Sequence, residues 1–336
     1  MAGQAAPDAA REAPLQPPLD LVTWGETMLR LAPPVGVALE GAASLEVCTG
    51  GTESNLAIAL ARLGRRVGWL SRLPEGPLGR RIAREIAAHG VDTSRVLWAQ
   101  EGRAGLVFME TGLAPRPNLV LYDRAQSAVA LLDPAALDYA YLSSARVLSL
   151  SGITPALSAN CREAWLRSAQ AAHGAGRRVL LDVNYRAKLW SPQQARTCLE
   201  QVFPYCAAMV CSFSDARLLF SAPEDPALAA EALRQAYHVP LVVLTLGEHG
   251  ALAHDGQVYR HPIFPTQVLD RIGAGDAFAA GFVHGWLEGD LPRALRYGCA
   301  LAALKQTYRG DTTWSTQEDL EDLVAGGEVD ARKVRR

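Results

Sequence analysis

Apolar and polar positions alternate along this chain in two rhythms, one of strands and one of helices. The run Leu21–Trp24 follows Asp20 and stops at Gly25, which predicts a short buried strand. MLRLAP (28–33) alternates in character, as on a half-exposed strand. From Gly51 to Gly64, apolar residues recur at Leu56, Ala59, Leu60 and Leu63, a helical spacing stopped by glycine. VGWLSRL (67–73) predicts a strand and LGRRIAREIAAHG (78–90) a helix. Further on come a strand at 146–152, a helix at 158–173, strands at 177–185, 207–213 and 240–247, and two helices after Gly275. Val- and Leu-rich strands alternating with helices predict a mostly parallel, doubly wound α/β sheet covered by helices on both faces.

Residues 100–132 break this rhythm. RAGLVFME (103–110) and NLVLYDR (118–124) read as strands joined by the turn TGLAPRP. Together with MLRLAP they predict a small separate sheet, with a lid formed by about 28–48 and 103–130. Ligands of open α/β sheets bind at strand ends, where such a lid would cover them. Its apolar strands offer a surface for pairing two subunits. Residues 19–325 are expected to form one domain, preceded by an Ala/Pro-rich disordered tail at 1–18 and followed by a C-terminal tail at 326–336.

Thirty-three basic against 35 acidic residues give a net charge of −2, which offers no electrostatic reason to expect nucleic acid or an anionic membrane. No apolar run reaches the roughly 18 residues that a membrane helix needs. The six cysteines are scattered, with no CxxC pair and no ligand-spaced Cys/His cluster, and read as reduced thiols of a cytoplasmic protein rather than a zinc site.

Candidate chemistry concentrates in VLDRIGAGDAFAAGF (268–282). Gly273-Ala274-Gly275 precedes a helix expected from about Asp276 to Glu288. Small residues there let main-chain N–H groups of Gly273, Ala274 and Gly275 approach an anion, and a helix start adds a partial positive charge of roughly half a unit. A carboxylate at Asp276, in the same space, would repel a phosphate unless it had work to do, such as taking the proton of an attacking hydroxyl. Ala277, Ala279, Ala280 and Gly281 keep the helix surface thin. Taken alone, the same residues also suit an ordinary helix start. The only lysines, Lys188, Lys305 and Lys333, do not follow glycine, so no Walker A loop exists. A dinucleotide fingerprint would need a third glycine where Phe278 stands.

VLDRIGAGDAFAAGF resembles the C-terminal signature of the ribokinase-like (PfkB) carbohydrate kinases, and CTGGTESNLAIALARLG (48–64) resembles their N-terminal glycine-pair signature. The two lie in the family's order, and the resemblance covers essentially residues 20–325. It implies a ribokinase-like sheet with a β-sheet lid, ATP as donor and Mg2+ as its companion. SGITPALS (151–158), DVNYRAKLWSP (182–192) and LYDRAQSA (121–128) look most like the family's 2-keto-3-deoxygluconate kinases. That implies a sugar-acid substrate phosphorylated at its 6-hydroxyl. It also implies substrate contacts from the backbone of Gly51 and the side chains of Asn55, Tyr122, Arg124 and Arg186, with Asp276 as base. Thr245, Gly247, Gly250 and Gly275 would line the nucleotide, and Asp215 would hold metal-bound water.

Four departures from the family pattern stand out. Ser212-Phe213-Ser214-Asp215 replaces Asn-x-x-Glu. Asp270-Arg271-Ile272 replaces Asp-Thr-Thr. Val107 replaces a lid tyrosine, and Cys299 an asparagine near adenine. Arg30 stands where neutral-sugar relatives often carry aspartate, and guanidinium suits a carboxylate. Rival readings are a kinase of a neutral sugar such as fructose, a non-catalytic sugar- or nucleotide-binding regulator, and a Schiff-base aldolase. The last needs a desolvated lysine, for which Lys188 and Lys305 are the candidates.

Overall fold

A computed structural model describes residues 19–112 and 115–326; the tail expected at 1–18 and that beyond Gly326 lie outside the described residues. The main sheet has eight strands. In spatial order they are Val258–His261, Ala251–His254, Leu241–Thr245, Ala208–Ser212, Arg178–Asp182, Val147–Ser151, Leu21–Trp24 and Val67–Leu70. The last six run parallel to one another, and the first two add an antiparallel hairpin at the edge.

Alternation along each parallel strand feeds two cores. Leu21, Leu180, Val210 and Val243 face the first, built with the helices Thr52–Arg62, Ala274–Trp286 and Leu291–Lys305. Val22, Leu181, Met209 and Val242 face the second, built with Ala159–Gly174, Pro192–Leu199 and Pro226–Tyr237. With both faces covered, the strands lack a polar side. This is why they read as near-continuous apolar runs. Side chains fix several helix starts: Ser158 accepts from the Cys161 amide at 3.0 Å, and Asp290 from the Arg293 amide at 2.9 Å.

The second sheet has the order Glu46–Gly50, Met28–Ala32, Leu106–Glu110, Leu119–Asp123. Met28–Ala32 is more buried than expected, because it is an internal strand of this sheet rather than an edge. Leu119–Asp123 is the mostly exposed edge. Arg72–Pro74 and Leu97–Ala99 form a two-stranded parallel pair that the apolar pattern does not announce.

The first strand, Leu21–Trp24, lies between Val67–Leu70 and Val147–Ser151, so chain connections leave it in opposite directions. Such a switch point opens a crevice at the carboxyl ends of the strands. The small sheet stands over that crevice. Among the described residues, no helix is long and apolar enough to cross a membrane.

Candidate active site

A cavity of about 430 Å3 occupies the crevice. The carboxyl ends of five parallel strands supply Glu26, Ile153, Asp182, Ser212 and Thr245, and the small sheet contributes Met28, Val107, Met109, Val120 and Tyr122.

Gly273 precedes the helix Ala274–Trp286 with φ 77°, and a Cβ there would lie 1.9 Å from the Asp311 carbonyl oxygen. Both conditions restrict the position to glycine. The helix therefore begins two residues earlier than expected and places Asp276 within its first turn. Among the described residues, the amides of Gly273, Gly275 and Asp276 make no internal hydrogen bond. The Ala274 amide departs from expectation: it donates to the Arg271 carbonyl at 3.2 Å, and Ala274 does not line the cavity. The left-handed turn at Gly273 curls the chain back on itself and consumes that donor. The open cradle is thus made of 273, 275 and 276.

Asp276 is buried and lines the cavity. Burial pushes its carboxyl up to about 6, opposed by a hydrogen bond from Asn55 and by the Arg186 charge. Asn55 Nδ2 donates to Asp276 Oδ2 at 2.7 Å, so in this structure Asn55 holds the carboxylate rather than standing free for a sugar hydroxyl. Gly51 lines the same wall, where a Cβ would meet the Glu26 carbonyl oxygen at 2.4 Å. Glycine there lets the helix Thr52–Arg62 start directly against the first strand's end.

Arg124 reaches the cavity, but its Nε donates to Glu26 Oε2 at 2.6 Å. Glu26 is buried, and its Oε1 has no partner among the described residues. Tyr122 lines the cavity with Arg124 and Lys188 over its ring. Arg186 and Arg271 both line the cavity and form no ion pair among the described residues. They are the guanidinium groups of the lining that no carboxylate already holds.

Arg30 proves different. Its guanidinium is buried and donates to Asp311 Oδ1 at 2.5 Å and Asp270 Oδ2 at 3.1 Å, away from the cavity lining. It bolts the small sheet to the segments flanking the cradle. Thr245 lines the cavity, whereas Gly247 and Gly250 do not. They belong to the turn Gly247–His249 and its exit, closed by Leu246 donating to the Gly250 carbonyl at 2.8 Å. Cys299 likewise lies off the cavity, packed toward His261.

Sequence reasoning passed over several acidic residues. Glu53 and Asp182 line the cavity, and burial pushes each carboxyl up to about 7. Thr154 Oγ1 donates to Glu53 at 2.6 Å, and Asn184 Nδ2 to Asp182 at 3.1 Å. Asn184 takes φ 40°, a left-handed conformation costly for a non-glycine residue and concentrated at functional sites. Asp215, expected from the sequence to hold metal-bound water, lines the cavity beside them, its carboxyl raised by burial. Asp311 completes the ring, held by Arg30. Asp182 and Asn184 lie in the motif DVNYR with Arg186, and the spacing there gives no sign that they line the cavity. Among the described residues, no group of three His, Cys, Asp or Glu side chains is arranged to hold a metal by itself.

A buried carboxylate beside open amides, at the strand ends of a doubly wound sheet, suits a phosphotransferase with an alcohol as acceptor. Residues 19–318 match the pfkB family carbohydrate kinases, and the chain belongs to that family. A 2-dehydro-3-deoxygalactonokinase from Haloferax volcanii is 44% identical over 312 residues, 92% of this chain and 98% of that one. A 2-dehydro-3-deoxygluconokinase from Bacillus subtilis is 30% identical over 299 residues, 87% of this chain and 91% of the other. The crystal structure of a 2-dehydro-3-deoxygluconokinase from Thermotoga maritima matches with a TM-score of 0.86 at 30% identity, covering 92% of this chain and 98% of that chain.

Proposed function

We propose that this kinase transfers the γ-phosphoryl group of ATP to the terminal hydroxyl of a 2-keto-3-deoxy sugar acid, in the cytoplasm. The observation that carries this reading is Asp276, buried and bonded to Asn55, in the same first helical turn as three unpaired amides. The hydroxyl oxygen attacks the γ-phosphorus, its proton passes to Asp276, and the bond to the β-phosphate bridging oxygen breaks to release ADP. The amides of 273, 275 and 276 stabilise charge on the transferred group without having to reorganise. Arg186 and Arg271 complement the phosphates. Gly51, Tyr122 and the small sheet, acting as a lid, keep the sugar in place and water out.

The acidic residues suit a hard cation that arrives with the nucleotide. Asp182 and Asp215 line the cavity without a bonded cationic partner, and both carboxyls are raised by burial, so positive charge nearby would relieve them. When bound, Mg2+ neutralises phosphate charge, and these two carboxylates would hold its water shell. Thr245 lies where the nucleotide crosses the strand ends.

A carboxylated substrate is supported by the N–H groups of Arg124 that Glu26 leaves over. 2-Keto-3-deoxygluconate, with its 6-phosphate as product, is the reading its motifs suggest. Its C4 epimer, the galactonate form, is the alternative favoured by the 44% identity to a galactonokinase. Sugar-dependent ADP formation over a panel of both epimers, ribose and fructose tests this. The expected outcome is a preference of about a hundredfold in kcat/KM for the keto-deoxy acids over neutral sugars. Equal efficiency with fructose would overturn the acidic-substrate reading; no ADP with any sugar would overturn catalysis.

A further inference from the structure

Lys305 closes the helix Leu291–Lys305, and its side chain is completely buried. Its ammonium donates to two main-chain oxygens, Asp270 O at 3.1 Å and Tyr308 O at 3.5 Å. Among the described residues it forms no ion pair, and it does not line the cavity. That removes it from Schiff-base chemistry and from substrate contact. A buried ammonium is costly unless it is needed where it sits.

Where it sits is directly behind the phosphate cradle. Asp270 is gripped from several sides. Its carboxylate accepts from the Ile272 amide at 3.0 Å, the Gly310 amide at 3.1 Å and Arg30 at 3.1 Å, while its carbonyl accepts from Lys305. The next residue, Arg271, supplies the carbonyl that pins the Ala274 amide. On the other flank Arg30 holds Asp311, whose backbone oxygen lies against Gly273. Arg30 and Lys305 thus neutralise Asp270 and Asp311, and together the four fix both sides of the turn that presents the open amides. Lys305 differs from Arg30 in kind. It binds carbonyl oxygens, as a bare monovalent cation would, and the last turn of its own helix favours positive charge there. Burial lowers its pKa, and Asp270 and Asp311 raise it.

We infer that Lys305 is a positioning residue for phosphoryl transfer: a covalently tethered cation whose ammonium, on the carbonyls of Asp270 and Tyr308, sets the turn from which the Gly273, Gly275 and Asp276 amides project. This rests on the cradle assigned above. Removing the stem would leave a cation-sized gap lined by carbonyl oxygens, which free ammonium or potassium fits and tetramethylammonium does not.

The test uses the full chain with Lys305→Ala and Lys305→Met, assayed for sugar-dependent ADP formation with about 0.1 M ammonium, potassium or tetramethylammonium chloride, so that ionic strength is constant. In tetramethylammonium the Ala variant should lose about tenfold or more in kcat with sugar KM within a factor of two. Ammonium or potassium should restore at least a third of that activity and raise the variant's thermal midpoint, with no such effect on the wild type. The Met variant, whose stem fills the gap, should be inactive and refractory to every salt. Wild-type turnover in the Ala variant, or a loss equal in all three salts, overturns the inference. If the Ala variant folds poorly, its melting in ammonium against tetramethylammonium still decides the matter, and equal midpoints count against the tethered cation. A wild-type protein that makes no ADP with any sugar refutes the kinase reading instead, and the melting comparison stands apart from it.

Discussion

On the proposed phosphate side of the cavity the donors are main-chain amides at one helix start, supplied by residues 273, 275 and 276 and shaped by a single left-handed glycine. On the proposed sugar side the groups are side chains from four distant segments: Glu26, the helix Thr52–Arg62, Tyr122–Arg124 and 182–186. The first is rigid and local. The second is a set of mutual engagements, Asn55 with Asp276 and Arg124 with Glu26, that a bound substrate must fit into or exchange. Binding an anion with amides requires no counter-charge and no rotamer choice. Recognising the proposed polyhydroxy acid requires both, so on this reading a substitution on that side should alter substrate preference, and one on the other side turnover.

The comparison breaks most sharply at the residue shared by both halves. Asp276→Asn keeps shape and the contact with Asn55 but cannot take a proton. Turnover should fall about a hundredfold or more, with sugar and ATP affinity little changed. Unchanged kcat would remove Asp276 from the proposed role. Next in size is Gly273→Ala, which forces a Cβ toward the Asp311 carbonyl at a φ of 77°. We expect a loss of about 1–3 kcal/mol in urea unfolding and about tenfold or more in kcat, with sugar KM nearly constant. A kcat loss without destabilisation, or the reverse, would show that the turn and the cradle are separable.

The sugar side should answer in the other parameter. Arg124→Met ought to raise KM for a keto-deoxy acid about tenfold while kcat stays within about threefold, and to leave a neutral sugar's KM unaffected. If both substrates weaken equally, Arg124 serves only to close the small sheet onto Glu26.

How far each half could be read from the chain follows the same division. The six parallel strands and the Gly-Ala-Gly-Asp turn were legible because apolar runs, glycine punctuation and helix starts are local signals. The edge hairpin 251–261 carries a signal too, Asp255-Gly256 between two short runs, but each run is only four residues, too short for its alternation to stand out. Pairing of Met28–Ala32 with Leu106–Glu110 had no local sign at all. Nor did Arg30, which looks like a substrate arginine in sequence and is bound to Asp270 and Asp311, some 240 and 281 residues away. Ion pairs across such distances are fixed by tertiary closeness, and sequence periodicity does not record them. For the same reason nothing local singles out Glu53, a first-turn acid of the helix Thr52–Arg62 that is buried in the cavity wall.

The smallest expected effect is the most direct probe of how the two halves meet. Burial raises the Asp276 carboxyl to about 6 from an ordinary 3.8, so between those values the folded protein binds a proton that the unfolded chain does not. Stability from this group therefore increases as pH falls through 6, and Glu53 and Asp182 add the same sign as pH falls through about 7. Activity runs the opposite way, since a protonated Asp276 cannot accept the hydroxyl proton. A plot of log kcat/KM against pH should thus fall on the acid side, with a midpoint near 6 from Asp276 below any that Asp182 adds near 7, while thermal stability is still rising. Asn55 donates to the ionised carboxylate and so favours it. Replacing Asn55 with Ala should move that midpoint upward by on the order of half to one pH unit, the worth of one such bond. A midpoint that stays fixed would mean that Asn55 serves the sugar alone, and that the two halves of the cavity titrate independently.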